Sequence, residues 1–329
     1  MKKEYRYNPQ LAFIRDDIKG NLVLDGEFVF KDKKDKLPYQ QLIKWMTTRN
    51  PQYHEKKSDK FVPQVKHNTA FNHTAEDKLV WLGHSTFFIQ LDGLRIITDP
   101  VFHSPSPFGL KRKHKIPCAV KQLNNIDCVV LSHGHRDHLD ITSLKEIVQH
   151  NPDIGVLCPM GFTKLLSSCG FKTIVEMAWW QTFSIKNIRF VFLPAKHWNR
   201  RFIHDYNKEL WGSFGIFSSE KSIYFAGDTG YDKHFKEIQN YISEFDYCLM
   251  PIGAYKPKYV MEWAHTSPDE AVQACNELQG KHFIPMHYGT FDLSEEPASE
   301  PLNILRKSKS SDQLNAELHI LSVGEDFII

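Results

Sequence analysis

The feature that most constrains this chain is a cluster of histidines that follows a predicted strand. Residues 133–138 read HGHRDH, directly after the apolar run Cys128 to Ser132, which is typical of a buried strand. In an extended loop, residues two apart share a side, so His133, His135 and Asp137 can converge, while His138 faces a second point. Neutral imidazoles and carboxylates are common ligands of Zn²⁺ and similar ions. The cluster therefore predicts a metal site at a strand end.

Three later segments each place a metal-ligand residue near the end of a predicted strand. They are His197 after FVFLP, Asp228 after IYFA and His287 after HFIP. Open sheets build their sites at the carboxyl ends of strands, so residues distant in sequence can meet there. A single histidine at such a position is more often an ordinary polar residue. The set of three favours a metal site over the alternative, a histidine-rich surface loop.

The distribution of predicted elements indicates an α/β chain with one main domain. Residues 1–77 are polar, with helical periodicity only around Leu42 to Met46, so we expect an N-terminal extension packed on the core. In residues 78–329, strands and helices alternate in two cycles, which we interpret as two halves of one domain. Residues 79–99 predict a hairpin that turns at Asp92-Gly93. Helices are predicted over 141–150 and 162–169, and after the capping box Ser267 to Glu270.

Composition and charge exclude several classes of protein. Hydrophobic residues make up 41% and charged residues 24%, and no apolar run is long enough to span a membrane. The first residues lack the apolar stretch of a secretory signal, which predicts a cytoplasmic location. The formal net charge of +2 argues against a nucleic-acid partner, although 111–115 (KRKHK) is a basic patch or a solvated loop. The six cysteines contain no CxxC pair, so neither disulfides nor a thiolate zinc site is predicted.

Further motifs appear in an order that is characteristic of one family. They are WLGHST, ITDPVF, HGHRDHLD, Trp179-Trp180, KHW, LWGSF, FAGDTGY, PIGAY and HYGTF, preceded by DGEFV at 25–29. With these motifs the chain resembles the metallo-β-lactamase superfamily, and within it N-acyl-phosphatidylethanolamine-hydrolysing phospholipase D and its bacterial relatives. The resemblance implies a metallo-β-lactamase fold, a four-layer αββα sandwich with two mixed β-sheets.

The resemblance also implies a ligand set for two divalent metal ions. Zinc is expected, with Mn²⁺, Fe²⁺ or Ni²⁺ as alternatives. By motif, one ion is held by His133, His135 and His197. The other is held by Asp137, His138 and His287, and Asp228 bridges both. A diiron oxygen reductase is disfavoured, because such proteins usually carry glutamate where His135 stands.

Other site residues are implied by the same motifs. Asp99 in ITDP would orient a ligand histidine, although a loop cap before Pro100 is an equal alternative. His265 in WAHTSP would bind a phosphoryl oxygen or protonate the leaving group, and would join Asp137 and Asp228 as catalytic residues. The candidates for substrate binding are Arg136, Trp198 and Tyr255. Aromatic residues that could line an apolar cleft or a membrane-facing rim, with the core as the alternative for most, are Phe108, Trp179, Trp180, Trp198, Trp211 and Tyr255.

The expected activity is hydrolysis of a phosphodiester by a hydroxide that the two metals share. The implied substrate is an N-acyl-phosphatidylethanolamine or another glycerophosphodiester, with peripheral contact at the inner membrane surface and a homodimer as further expectations. Gly134 and Arg136 depart from the Asn and Tyr of the eukaryotic lipases. A lactonase or carboxylic-ester hydrolase for a small phosphorylated substrate is therefore an alternative. A noncatalytic metal-binding protein is another, which the intact ligand set disfavours.

Overall fold

The computed structural model describes residues 2–31, 39–68, 74–105 and 110–329. Phe108, one of the predicted cleft or core aromatics, lies outside these residues. The N-terminal elements are strands β1 (Lys3–Arg6), β2 (Asn21–Leu24) and β3 (Glu27–Phe28) and helices α1 (Tyr39–Thr47) and α2 (Tyr53–Ser58). The three strands form a small antiparallel sheet. The boundary at residue 77 stays a prediction.

The first large sheet and its helices come next in the chain. Its strands are β4 (Lys78–Gly83), β5 (Thr86–Leu91), β6 (Leu94–Thr98), β7 (Cys128–Val130), β8 (Gly155–Pro159) and β9 (Thr173–Met177), with helices α3 (Ile141–His150) and α4 (Thr163–Ser168). Strands β4 to β6 are antiparallel, and β6 to β9 are parallel. The sheet is therefore mixed.

The second large sheet contains the remaining strands except the last. Its strands are β10 (Thr182–Ile185), β11 (Ile188–Leu193), β12 (Ser213–Phe217), β13 (Ser222–Phe225), β14 (Tyr247–Pro251), β15 (His282–Met286) and β16 (Glu317–Leu318). The helices of this half are α5 (His234–Tyr241), α6 (Lys258–Met261), α7 (Pro268–Glu277) and α8 (Glu300–Ser310). Strand β17 (Asp326–Ile328) returns to the first sheet beside β4. This sheet is also mixed, antiparallel from β10 to β13 and parallel from β13 to β16.

The two large sheets pack face to face, with helices on their outer faces. Trp81 and Phe87 of the first sheet share one buried cluster with Phe192 and Phe214 of the second. The alternate residues of the same first-sheet strands, such as Val80, face a second cluster that includes residues of α3 and α4. Because both faces of these strands are covered, every residue of β4 and β5 is buried. The predicted αββα sandwich is confirmed.

Several predicted elements match closely, and the differences have local causes. The helix at 141–150 is capped by Asp140, whose carboxylate accepts from the Thr142 and Ser143 amides. The predicted hairpin at 79–99 is instead three strands, because an additional turn at His84-Ser85 separates β4 from β5. The sequence analysis did not predict strands β9 and β10. Most of their residues are half-buried or exposed, so the apolar pattern that marks a buried strand is weak in both. Among the described helices, none is long and apolar enough to cross a bilayer.

Candidate metal centre

The ends of five strands deliver the predicted residues to one edge of the sandwich. Asp99 follows β6, the HGHRDH run follows β7, His197 follows β11, Asp228 follows β13 and His287 follows β15. The turn before Asp228 requires glycine, because Gly227 has a φ of +58° and an added Cβ would lie 2.5 Å from the Cβ of Ser132. The fold therefore brings together all the residues that the sequence predicted as ligands.

The first group of donor atoms has the size of a tetrahedral metal site. His135 Nδ1 lies 2.9 Å from His133 Nε2 and 3.1 Å from His197 Nε2. Asp228 Oδ2 lies 3.9 Å from each of these Nε2 atoms. Ligand atoms about 2.0–2.2 Å from one zinc ion are roughly 3.3 Å apart, so the four atoms fit around a single cation.

The second group shares Asp228 with the first. His138 Nε2 lies 3.2 Å from Asp228 Oδ2, and His287 Nε2 lies 3.1 Å from Asp228 Oδ1. Asp137 Oδ2 lies 3.8 Å from His138 Nε2 and 3.9 Å from His287 Nε2. Three atoms of this group are buried without a hydrogen-bond partner among the described residues, namely His138 Nε2, His287 Nε2 and Asp228 Oδ1. Such orphaned polar atoms are costly unless a cation satisfies them, so the residues present fit a second metal ion.

Hydrogen bonds behind the histidines leave the inward nitrogens free to coordinate. His138 Nδ1 donates to Asp99 Oδ2 at 2.8 Å, and His197 Nδ1 donates to the Ala264 carbonyl at 2.8 Å. Ser132 Oγ donates to Asp99 and can therefore accept from His133 Nδ1, 2.9 Å away. Since a neutral imidazole carries one proton, the neutral form of each of these rings presents a bare Nε2 to the centre.

Electrostatics also suit a cation. Burial lowers the pKa of His135 to about 4 and holds the pKa values of His133 and His197 well below the usual range, so these rings are neutral near pH 7. Burial alone would raise the pKa of Asp228, but the nearby His138 and His287 lower it, so the carboxylate is charged. Burial alone would lower the pKa of His138, but Asp228 and Asp99 raise it well above its usual range, so without metal this ring supplies the positive charge that the buried carboxylate needs. Bound metal would take over that role.

A cavity of about 490 Å³ opens onto this centre. Its walls combine metal-centre residues with apolar and cationic side chains, namely Tyr39, Leu42, Trp45, His135, Arg136, Asp137, Trp198, Arg200, Asp228, Ala254, Val260, Met261, Trp263, Ala264, His265 and Leu293. Arg136 is exposed and Trp198 is stacked on Trp263 at 5.9 Å. A larger groove of about 860 Å³ lies between α7 and α8, and it contains none of the predicted site residues.

The structure places some of the candidate residues elsewhere. Tyr255 is not among the described residues that line the cavity; it is buried, and its hydroxyl donates to Glu300. Trp179, Trp180 and Trp211 belong to the buried cluster between the sheets, so the core alternative is confirmed for these three. Arg112 is not part of an open basic patch, because its guanidinium donates to the carbonyls of Leu82 and Val101.

A family model described as the beta-lactamase superfamily domain matches residues 94–288, more than half of the chain. The chain belongs to the metallo-β-lactamase superfamily. It is 34% identical over 242 residues to N-acyl-phosphatidylethanolamine-hydrolyzing phospholipase D 1 of Caenorhabditis elegans, covering 69% of this chain and 68% of the worm protein. It is 33% identical to the mitochondrial yeast enzyme of that name, covering 67% of this chain and 49% of the yeast protein. The predicted family is confirmed.

Other relatives agree at a coarser level. A UPF0173 metal-dependent hydrolase of Methanopyrus kandleri is 27% identical, covering 76% of this chain and 99% of that protein. A metallo hydrolase structure from Ignicoccus hospitalis superposes with a TM-score of 0.60 at 22% identity, covering 77% of this chain and 98% of the other. The diiron β-hydroxylase CmlA of Streptomyces venezuelae superposes at 0.59 and 18% identity, covering 78% and 55%. The structural matches show the superfamily fold, and the sequence relatives support a metal-dependent hydrolase.

The sequence analysis missed one residue of the candidate metal centre, His84. His84, in the turn between β4 and β5, lies 3.2 Å through Nε2 from Asp137 Oδ2, and its ring is 4.0 Å from that of His287. Burial lowers the pKa of His84 to about 3, so the ring is neutral and Nε2 can donate its proton to the carboxylate. The same nitrogen lies close to the second group of donor atoms, but while it carries the proton it serves as a donor to Asp137. His84 therefore positions Asp137, and its signal was the histidine after strand β4 in WLGHST.

His84→Asn is expected to lower the affinity for the ion at the second position by about ten- to a hundredfold. The variant removes the bond to Asp137, while asparagine tolerates the φ of +54° at this position. Metal content after dialysis at fixed free metal measures the effect. His103→Asn, which changes an exposed histidine, should keep the content of the unmodified protein. Equal content in the His84 variant would contradict the positioning role.

Proposed function

We propose that this chain is a phosphodiesterase of the phospholipase D type, which acts on N-acyl-phosphatidylethanolamine or another glycerophosphodiester. The observation that carries the proposal is the composition of the cavity above the metal centre. Arg136 and Arg200 supply positive charge, while Leu42, Trp45 and Met261 supply apolar wall. A diester lipid has both an anionic phosphate and apolar chains. The arginines would contact the phosphate, and the apolar side chains would contact the chains.

The proposed site has the ligand assignment that the family resemblance implied. One ion would be held by His133, His135 and His197, the other by Asp137, His138 and His287, and Asp228 would be shared by both. Bound metals supply a water made acidic enough to act as a nucleophile near neutral pH, and charge that stabilises the attacked phosphate. Zinc is the expected ion, since buried imidazoles and carboxylates are its usual ligands.

His265 is the proposed contact to the reacting group. Its Nδ1 lies 3.7 Å from Asp228 Oδ2, its ring is 5.2 Å from that of His197, and it lines the cavity. Burial lowers the pKa of His265 to about 4, so the ring is neutral near pH 7. A neutral ring can donate one hydrogen bond to a phosphoryl or leaving-group oxygen. Arg136 and Arg200 would balance the charge of the phosphate and orient it.

The activity is tested by comparing substrates with and without a chelator. Bis(p-nitrophenyl) phosphate should be cleaved, and N-acyl-phosphatidylethanolamine in mixed micelles should release phosphatidate. Both activities should be lost on chelation and recovered when Zn²⁺ is added back. Cleavage of lactones alone would favour the carboxylic-ester alternative. Bound metal without turnover of any substrate would favour a noncatalytic protein.

Leu42→Ser is expected to raise KM for the lipid by about tenfold and to leave KM for bis(p-nitrophenyl) phosphate unchanged. Leu42 lies on the α1 wall of the cavity, where the small diester needs no apolar contact. Steady-state kinetics with both substrates measure the difference. The control is Gln41→Ser, an exposed position on the same helix. Equal KM shifts for both substrates would argue against an acyl-chain wall.

The outer face of the same helix supports the proposed membrane contact. Ile43 and Met46 are 62% and 85% exposed, and Phe202 and Ile203, just after the cavity residue Arg200, are 60% and 75% exposed. Exposed apolar side chains beside a lipid-binding cavity can enter the headgroup region of a bilayer. Met46→Ser combined with Ile43→Ser should reduce co-sedimentation with phosphatidylglycerol-containing vesicles. Unchanged sedimentation would remove this face from the proposal.

A further inference from the structure

A second group of metal-ligand side chains lies at the opposite end of β15 from the catalytic centre. His282 begins β15, and His287 follows its last residue, so the two are roughly 16 Å apart along an extended strand. His282 pairs in register with Glu317 of β16. Side chains two apart share a face, and the His319 amide continues the pairing by donating to the Phe283 carbonyl. The sheet thus places two imidazoles and one carboxylate on the same face.

The three side chains converge on one point. His282 Nδ1 lies 2.9 Å from His319 Nε2, and Glu317 Oε2 lies 3.5 Å from the first nitrogen and 3.8 Å from the second. Ligand atoms of a tetrahedral zinc ion, each about 2.0–2.2 Å from the metal, are roughly 3.3 Å from one another. The triangle therefore has the size that one zinc ion needs. Glu317 is mostly exposed, so a fourth position is open to water.

The surroundings favour a cation over a simple hydrogen-bonded pair. Burial lowers the pKa of His319, so its ring is neutral near pH 7. The two rings can share one hydrogen bond, but Glu317 Oε2, 3.5 and 3.8 Å away, is too far from both for a good one. No lysine or arginine in the described part of the chain pairs with Glu317. A metal ion would satisfy all three groups at once.

Aromatic rings hold the two histidines in this arrangement. The Tyr247 ring stacks on His282 at 4.8 Å with an interplanar angle of 14°, and the Phe327 ring lies 4.5 Å from His319. Because the rings are already restrained, metal binding would cost little side-chain entropy.

We propose that His282, Glu317 and His319 bind one divalent late transition metal ion, zinc in the first instance. The ion joins β15 to β16, the last strand of the second sheet, and so stabilises that edge of the sandwich. The site is separate from the catalytic centre, and the proposal does not depend on the proposed function.

The test is zinc stoichiometry in the full-length protein. Metal-free protein is dialysed against micromolar free Zn²⁺, and bound zinc is measured by elemental analysis. His319→Ala is expected to bind about one zinc ion fewer than the unmodified protein. The same difference is expected in the His135→Ala background, so the result is independent of catalytic-site occupancy. His150→Ala, an exposed histidine at the end of α3, is the matched control and should lose no zinc.

A second variant, Glu317→Gln, tests the site independently in case His319→Ala does not fold. Glu317→Gln keeps the shape of an exposed side chain, and it should weaken zinc binding at this site by about tenfold or more, since the charged ligand is lost. Zinc should also raise the melting temperature of the His135→Ala protein, and His319→Ala should remove that part of the increase. Unchanged stoichiometry in both the His319 and Glu317 variants would overturn the proposal.

Discussion

Asp228→Asn is expected to abolish hydrolysis, lowering kcat/KM by at least about a thousandfold. Asp228 lies within 3.9 Å of both groups of histidines, and it is the charged group common to both. The amide keeps the shape of the side chain but removes the negative charge that two cations would share. Activity with bis(p-nitrophenyl) phosphate and the metal content of the same sample are measured together.

The matched control for this variant is Asp232→Asn, four residues further on. Asp232 pairs with Lys31 at the surface and lies outside the cavity, so activity and metal content should both be unchanged. Circular dichroism establishes that both variants are folded. Turnover at the unmodified rate in a folded Asp228→Asn protein would contradict the proposed binuclear centre.

His265→Gln is expected to lower kcat by about a hundred- to ten-thousandfold while leaving the metal content unchanged. His265 faces the cavity, and it lies near Asp228 and His287, but the proposed ligand set does not use it. Its loss would remove a hydrogen bond to the reacting group and spare the ligands. The His265 variant should lose activity but keep its metal, whereas the Asp228 variant should lose both activity and metal.

The substrate series sharpens this test. If His265 assists departure of the leaving group, His265→Gln should affect an alkyl diester more than p-nitrophenyl esters, whose leaving group needs little protonation. An equal loss for both leaving groups would instead indicate contact with a phosphoryl oxygen. Loss of bound metal in this variant would contradict its role as a substrate contact.

The sequence was sufficient for those parts of the site that follow strands. HGHRDH, His197, Asp228 and His287 each come after a buried apolar run, and the carboxyl ends of these strands, from both sheets, meet at one edge of the sandwich. His84 was missed because its turn lies inside a segment that predicts a simple hairpin. Its role depends on a contact with Asp137, 53 residues away, that no local pattern encodes.

The cavity could not be predicted from the sequence, because it too depends on contacts between residues that are far apart in the chain. Its α1 wall belongs to the polar N-terminal region, and the helix is held in place by a bond from Trp45 Nε1 to Glu295 at 2.7 Å. Periodicity around Leu42 to Met46 indicated a helix but not where it docks. Tyr255 shows the converse, since its motif suggested a substrate contact and its hydroxyl is bound to Glu300.

Helix α1 forms part of the cavity wall but supplies none of the proposed metal ligands. None of the proposed metal ligands lies before residue 133, whereas Tyr39, Leu42 and Trp45 close one side of the cavity. Changes in this short helix can therefore reshape the cavity without touching the histidines or aspartates. If the cavity holds an acyl chain as proposed, substitutions in α1 would alter chain preference while the metal centre stayed the same.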